Sequence, residues 1–213
     1  MPDKEAMRLG GLILAGGRSR RMGRAKESLP IGDTTLLGWQ CRTLAACTDP
    51  VVVVRRDDGQ ALPDVPESVD VTADDAPGIG PLCGLAAGLA RLHDRHGFGD
   101  RDAAFVTGCD LPFVTAATVR WLAARLGDDD LLMPRAAGAL QPLLAIYRIG
   151  VLDRALGLLA AGERSLHALA GGAGAVLDEE RLRQHDPELT CLFDIDDPAS
   201  YDAALRALAE GRP

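Results

Sequence analysis

The stretch that most constrains this chain runs from Leu9 to Lys26. Its apolar segment Leu12-Ile13-Leu14 breaks off at Ala15-Gly16-Gly17 and opens into a loop holding Arg18, Arg20, Arg21, Arg24 and Lys26. An apolar run that stops at small residues reads as a buried strand delivering a loop. Small residues let backbone N–H groups approach phosphate oxygens, and the cations supply charge that a neutral loop lacks. No carboxylate stands between Met7 and Lys26. The two common phosphate loops are excluded, because Gly23 is followed by Arg24 rather than by Lys and a hydroxyl residue, and G-x-G-x-x-G is absent.

This basic loop is a local exception in an acidic chain. The formal net charge is -8 over 213 residues, with a pI near 5.0, which argues against a nucleic-acid partner. With 47% hydrophobic and 25% charged residues, residues 1–213 read as one globular domain large enough for a sizeable core. No apolar run approaches membrane-spanning length, and residues 1–8 are polar without a signal-peptide core, so the expectation is a cytoplasmic protein with no membrane partner. Five scattered cysteines without a C-x-x-C pair point to reduced core residues rather than disulfides or zinc.

Short apolar runs alternate with amphipathic segments, which predicts α/β layering over a largely parallel sheet. Thr34 and Thr35 can cap a helix with Leu36, Leu37, Gln40, Cys41 and Leu44 at helical spacing, ending near residues 47–50. A strand at 51–54, a surface connection over 57–68 and a brief strand at 69–72 follow. Glycines and prolines then interrupt residues 74–81, a second candidate site loop, until a helix starts near Leu82 with Leu85, Leu89 and Leu92 on one side. His93 and His96 at its end read as a solvated helix terminus, since a third metal ligand is missing nearby.

The next strand, at 103–107, hands over to Gly108-Cys109-Asp110-Leu111-Pro112-Phe113, and Thr115 is placed to cap a helix carrying Val119, Leu122 and Leu126. Asp110 therefore stands just past a strand's carboxyl end, where open α/β sheets bind ligands. It is a natural oxygen ligand for Mg²⁺ bridging nucleotide phosphates, unless it merely shapes the turn before Pro112. Asp128-Asp129-Asp130 reads as a solvated turn. Strands at 131–133 and 143–147 flank Gln141-Pro142, and a helix at 151–159 and a glycine-rich stretch at 171–174 come next. Asp197 caps a last helix with Pro198 at its first position, Tyr201, Ala204, Leu205 and Leu208 on one face, and Gly211 as its stop. Asp194 and Asp196, alternating along a strand end, point to one side and can complete a metal site with Asp110.

Four motifs now stand in order: Leu14-Ala15-Gly16-Gly17 with Arg21-Met22-Gly23 and Lys26, then Gly80-Pro81-Leu82-Cys83-Gly84-Leu85, Cys109-Asp110-Leu111-Pro112-Phe113, and Gln141-Pro142-Leu143. Together they resemble molybdenum cofactor guanylyltransferase over nearly the whole chain. The resemblance implies a Rossmann-like nucleotidyltransferase fold, a three-layer α/β/α sandwich with a mostly parallel mixed sheet. Residues 8–115 would form a nucleotide-binding half and 116–213 an acceptor-binding half. It implies that GTP and the molybdopterin cofactor react, with Mg²⁺, to give the guanine dinucleotide form and pyrophosphate, with molybdoenzymes or their chaperones as further partners. On the matching positions, Leu14, Ala15 and Gly16 contact the nucleotide, Lys26 its phosphates, Asp74 the guanosine part and Asp110 the magnesium. To these the residues themselves add Gly17 and Gly80 on the nucleotide, Arg21 on the triphosphate and Asp196 on the metal.

Three positions depart from the family pattern. Ala25 stands where members commonly carry Asp before the loop lysine, Val54-Arg55 where the second strand often ends in Asn, and Asp194 and Asp196 where asparagines are usual. The last change keeps an oxygen ligand and adds charge. Guanine-using members carry the glycine pair after Ala15, whereas cytosine-using relatives tend to have alanine at the first of these positions. A missing Cβ at Gly16 would let backbone lie against a purine. A CTP-using cytidylyltransferase, a sugar-phosphate nucleotidyltransferase and a non-catalytic nucleotide-binding regulatory module are the alternatives.

Overall fold

A computed structural model describes residues 6–16, 22–74, 80–171 and 174–211 of the chain. In chain order the elements are β1 (Leu9–Leu14), the hairpin β2 (Pro30–Ile31) and β3 (Thr34–Thr35), α1 (Leu36–Ala45), β4 (Val51–Arg55), β5 (Asp70–Ala73), α2 (Pro81–His96) and β6 (Ala103–Gly108). There follow α3 (Ala116–Ala123), β7 (Leu131–Ala136), β8 (Ala139–Leu140), β9 (Leu144–Arg148), α4 (Val151–Ala160), β10 (Gly174–Leu177), α5 (Glu179–His185) and α6 (Pro198–Ala209).

The main sheet runs β10-β7-β9-β6-β1-β4-β5, with β8 paired to β7. β1 is central and parallel to both β4 and β6, and β5 adds parallel to β4. β9 alone on this path runs against its neighbours, pairing antiparallel with both β6 and β7, which makes the sheet mixed. The register sets Leu14 beside Val54 and Gly108, so the loops leaving three parallel strands start at one edge.

Strand alternation explains why both faces are covered. Ile13, Val53 and Phe105 pack with Leu37 and Leu44 of α1, Val119 and Leu122 of α3 and Leu182 of α5. Leu12, Val52 and Val106 point the other way, toward Leu85, Leu89 and Leu92 of α2 and Ala155 of α4. The expected three-layer α/β/α sandwich is therefore the observed one.

Local signals placed the helix starts. Thr35 accepts from Gly38 N, Thr115 accepts from Thr118 N, and Asp197 forms a capping box with Ser200 behind Pro198. Three local expectations change. The stretch expected as glycine-rich loop ends in a strand, because Gly174 pairs with Leu131 in β10. Residues 193–196 are not a strand end but irregular backbone before α6. His93 and His96 are not simply solvated: His93 Nδ1 lies 2.9 Å from Phe98 O, and His96 Nε2 lies 2.9 Å from Asp70 Oδ2, joining α2 to the edge strand. Among the described residues no helix is long and apolar enough to cross a membrane.

Candidate active site

A small apolar cluster beside the carboxyl edge of the sheet gathers the site. Met22, Leu29 and Ile31 from the loop after β1 and the hairpin, Phe113 from the loop after β6, and Ile195, Tyr201 and Ala204 from the C-terminal segment are all buried together. The Phe113 and Phe193 rings meet at 5.3 Å between centroids. Polar anchors surround the cluster. Ile195 N donates to Asp110 O at 3.0 Å, Trp39 Nε1 donates to Pro112 O at 2.8 Å, the fully buried Gln40 donates to Leu111 O, and the Tyr201 hydroxyl donates to Pro30 O. With Ile195 turned into the cluster, its neighbours Asp194 and Asp196 face the opposite side, toward Asp110.

Lys26 opens a short 3₁₀ turn over Lys26–Ser28, closed by Leu29 N on Lys26 O at 3.0 Å. Its ammonium donates to Asp196 Oδ1 at 2.7 Å and to Asp110 Oδ2 at 3.1 Å, with Asp194 Oδ1 at 4.0 Å. Burial pulls the Lys26 pKa down, but the hydrogen bond to Asp196 and the attraction and hydrogen bond of Asp110 outweigh it, so the group stands above its usual value. Ala25 is exposed and extended, so carboxylates distant in sequence orient Lys26. Gly108 makes room for this arrangement: a Cβ there would lie 2.3 Å from Asp110 Oδ1.

Asp110, Asp194 and Asp196 each offer an oxygen, all within 4.8 Å of one another. Among the described residues, three carboxylates stand against one ammonium, a formal excess of two negative charges. A set of hard oxygen donors with that excess suits a divalent cation of the Mg²⁺, Mn²⁺ or Ca²⁺ kind. Cys109, directly before Asp110, is not a nucleophile here. Burial, then the charges of Asp110 and Glu27, push its thiol well above the usual range.

Leu14 ends β1, and Ala15 is buried, its N–H given to Val54 O at 2.9 Å and its carbonyl accepting from Gln60 Nε2 at 2.9 Å. Gly16 lies beside Arg56, and a Cβ there would come within 3.4 Å of Arg56 Cα and Cβ, a tight but feasible contact. Asp74 follows β5, its N–H donated to Arg55 O at 2.8 Å. Gly80 caps α2 at φ +143°, and a Cβ there would meet Arg164 O at 2.7 Å, so glycine is needed for backbone approach as well as conformation. Gly17 and Arg21, with Arg18 and Arg20, lie outside the described residues.

Sequence reasoning missed a buried polar brace. Gln60 Nε2 donates to Glu27 Oε1 at 2.6 Å as well as to Ala15 O, while Gln60 Oε1 accepts from Arg56 N at 2.6 Å. Glu27 is 4% exposed and Gln60 7%. One amide thus ties the glycine loop, the lysine turn and the end of β4 together. The only sequence hint is a carboxylate flanked by Lys26 and a turn; its partner sits in a surface-reading stretch 33 residues on.

Comparison with known proteins agrees with this architecture. Residues 11–181 match the MobA-like NTP transferase domain family. A Mycobacterium bovis protein named probable molybdenum cofactor guanylyltransferase is 38% identical over 172 residues, covering 79% of this chain and 82% of that one. The crystal structure of molybdopterin-guanine dinucleotide biosynthesis protein A from Archaeoglobus fulgidus superposes with a TM-score of 0.76 at 24% identity, covering 94% of this chain and 99% of that one. A Mycobacterium tuberculosis protein solved as a complex with manganese superposes with a TM-score of 0.59 at 19% identity, over 94% of this chain and all of the other.

Proposed function

We infer that this chain, which belongs to the MobA-like NTP transferase family, transfers GMP from GTP to the phosphate of the molybdopterin cofactor, releasing pyrophosphate. The observation that carries the reading is the convergence of Lys26, Asp110, Asp194 and Asp196 beside the loop leaving β1. Residues 8–115 bind the nucleotide and 116–213 the acceptor, with Asp194 and Asp196 reaching across from the second half. The work is cytoplasmic, and molybdoenzymes or their chaperones receive the product.

The acceptor phosphate is anionic near neutral pH, so it attacks the α-phosphorus directly, forming one P–O bond as the bond to pyrophosphate breaks. A general base is not required. The chain's task is positioning and charge neutralisation. Leu14, Ala15, Gly16, Gly17 and Gly80 shape the nucleotide site, with Ala15 acting through the brace that fixes its carbonyl. Asp74 accepts from guanosine donors, and Arg21 and Lys26 hold the triphosphate. Asp110 and Asp196, with Asp194, would hold Mg²⁺. When bound, Mg²⁺ supplies charge neutralisation at the phosphates. Gly108 and Ile195 keep the Asp110 carboxylate aimed.

Pyrophosphate release measured with each of the four nucleotides, with and without molybdopterin cofactor, tests the reading. Release should require GTP and the acceptor together. Preferential use of CTP would make the chain a cytidylyltransferase, turnover on a sugar phosphate would move it to that class, and nucleotide binding without turnover would make it a regulatory module.

A further inference from the structure

The centre of the carboxylate cluster is taken. The Lys26 ammonium lies 2.7 Å from Asp196, 3.1 Å from Asp110 and 4.0 Å from Asp194, and its side chain is only 12% exposed. A divalent cation would need the same lone pairs at about 2.0–2.6 Å. An ammonium and a dication sharing one set of oxygens would stand within about 4 Å of each other, where their repulsion cancels much of what the carboxylates contribute. The lysine is the mobile party. Its charge rides on a flexible four-carbon stem, whereas Asp110 is held by the backbone bond from Ile195, and Asp194 and Asp196 flank the buried Ile195.

We propose that Lys26 is the resident counter-ion of this cluster, and that a divalent cation enters only by displacing its ammonium, which the nucleotide's phosphates then receive. The proposal rests on the metal and nucleotide reading above and adds an order to it. Without nucleotide, Lys26 competes with the cation. With nucleotide, the ammonium has an anionic destination, so cation and triphosphate favour each other's binding through one side chain. Lys26 thereby offsets part of the charge of the converging carboxylates in the empty enzyme and frees them when substrate arrives.

The sign of the effect is distinctive. Mn²⁺ titrated calorimetrically into the full chain without nucleotide should bind Lys26→Met at least tenfold more tightly than wild type, and Asp110→Asn at least tenfold more weakly. Equal affinity of wild type and Lys26→Met, with Asp110→Asn still weak, overturns the displacement and leaves the metal reading standing. Unchanged affinity in all three removes the metal reading and the displacement with it. A measurement on wild type guards against a variant that fails to fold. The chain has two lysines, Lys4 and Lys26, so lysine labelled with ¹³C at Cε yields two side-chain signals. Mg²⁺ at a concentration that calorimetry shows to fill the site should move the Lys26 signal and leave Lys4 in place. A Lys26 signal that does not move overturns the proposal.

Discussion

Replacing Gln60 with leucine keeps a side chain of similar size but removes three hydrogen bonds at once. Glu27 loses its amide donor at 2.6 Å, Ala15 O its donor at 2.9 Å, and Arg56 N its acceptor at 2.6 Å. Because Glu27 and Gln60 are both buried, water cannot readily replace the lost partners. A hydrogen bond to a charged group contributes about 1.5–3 kcal/mol and a neutral one about 1, so the expected loss is about 3–5 kcal/mol. For a chain of this length that corresponds to roughly 6–20 °C in Tm. Calorimetry on wild type, Gln60→Leu, Glu27→Met and the double variant forms a thermodynamic cycle. The double variant should lose less than the sum of the singles by at least about 1 kcal/mol, since it leaves no buried carboxylate unpaired. Additive losses, or a Gln60→Leu Tm within about 2 °C of wild type, would refute the brace.

Asp110→Asn keeps the side chain's size but removes a charge that both Lys26 and a divalent cation require, and turnover at limiting Mg²⁺ should fall a hundredfold or more; near-native rates would sink the assignment. Gly16→Ala should fold, because its methyl meets Arg56 at 3.4 Å, and should lower the preference for GTP over CTP in direct competition; an unchanged preference would mean Gly16 serves only the turn. Asp70 is held down to about 2, first by its hydrogen bonds from Arg91 and then, against the cost of burial, by His96 and Arg95. Since its folded value lies below the usual 3.8, its contribution is complete above that value and disappears as pH falls toward 2. Urea unfolding should show wild type about 1–2 kcal/mol more stable than Asp70→Asn at pH 7, after allowing for partly exposed partners, with the gap closing between about pH 4 and pH 2. A gap that persists undiminished at the acid end contradicts the pairing.

Features that depend on neighbours along the chain were legible before any packing was known. Thr35, Thr115 and Asp197 cap helices because a side-chain oxygen reaches a backbone N–H three residues on, a condition written entirely in local order. Leu12 and Ile13 face opposite layers because strands alternate, and Asp110 follows a strand because an apolar run ends there. Tertiary structure decided what depends on pairing across distance. Nothing local says that β9 slots antiparallel between β6 and β7, since an apolar five-residue strand can pair in either direction at nearly the same stability per residue. Asp194 and Asp196 were readable as a pair, yet a strand end is not what aims them: Ile195, buried against Phe113 and Tyr201 and bonded to Asp110 O, turns them toward a lysine about 170 residues away. Glu27 found Gln60 in a stretch that reads as surface, because a carboxylate enclosed by packing must take whatever donor the fold brings to it. Periodicity and caps are enforced within a few residues, whereas the charge balance of the site comes into being only when loops from both halves of the chain are packed over one apolar cluster.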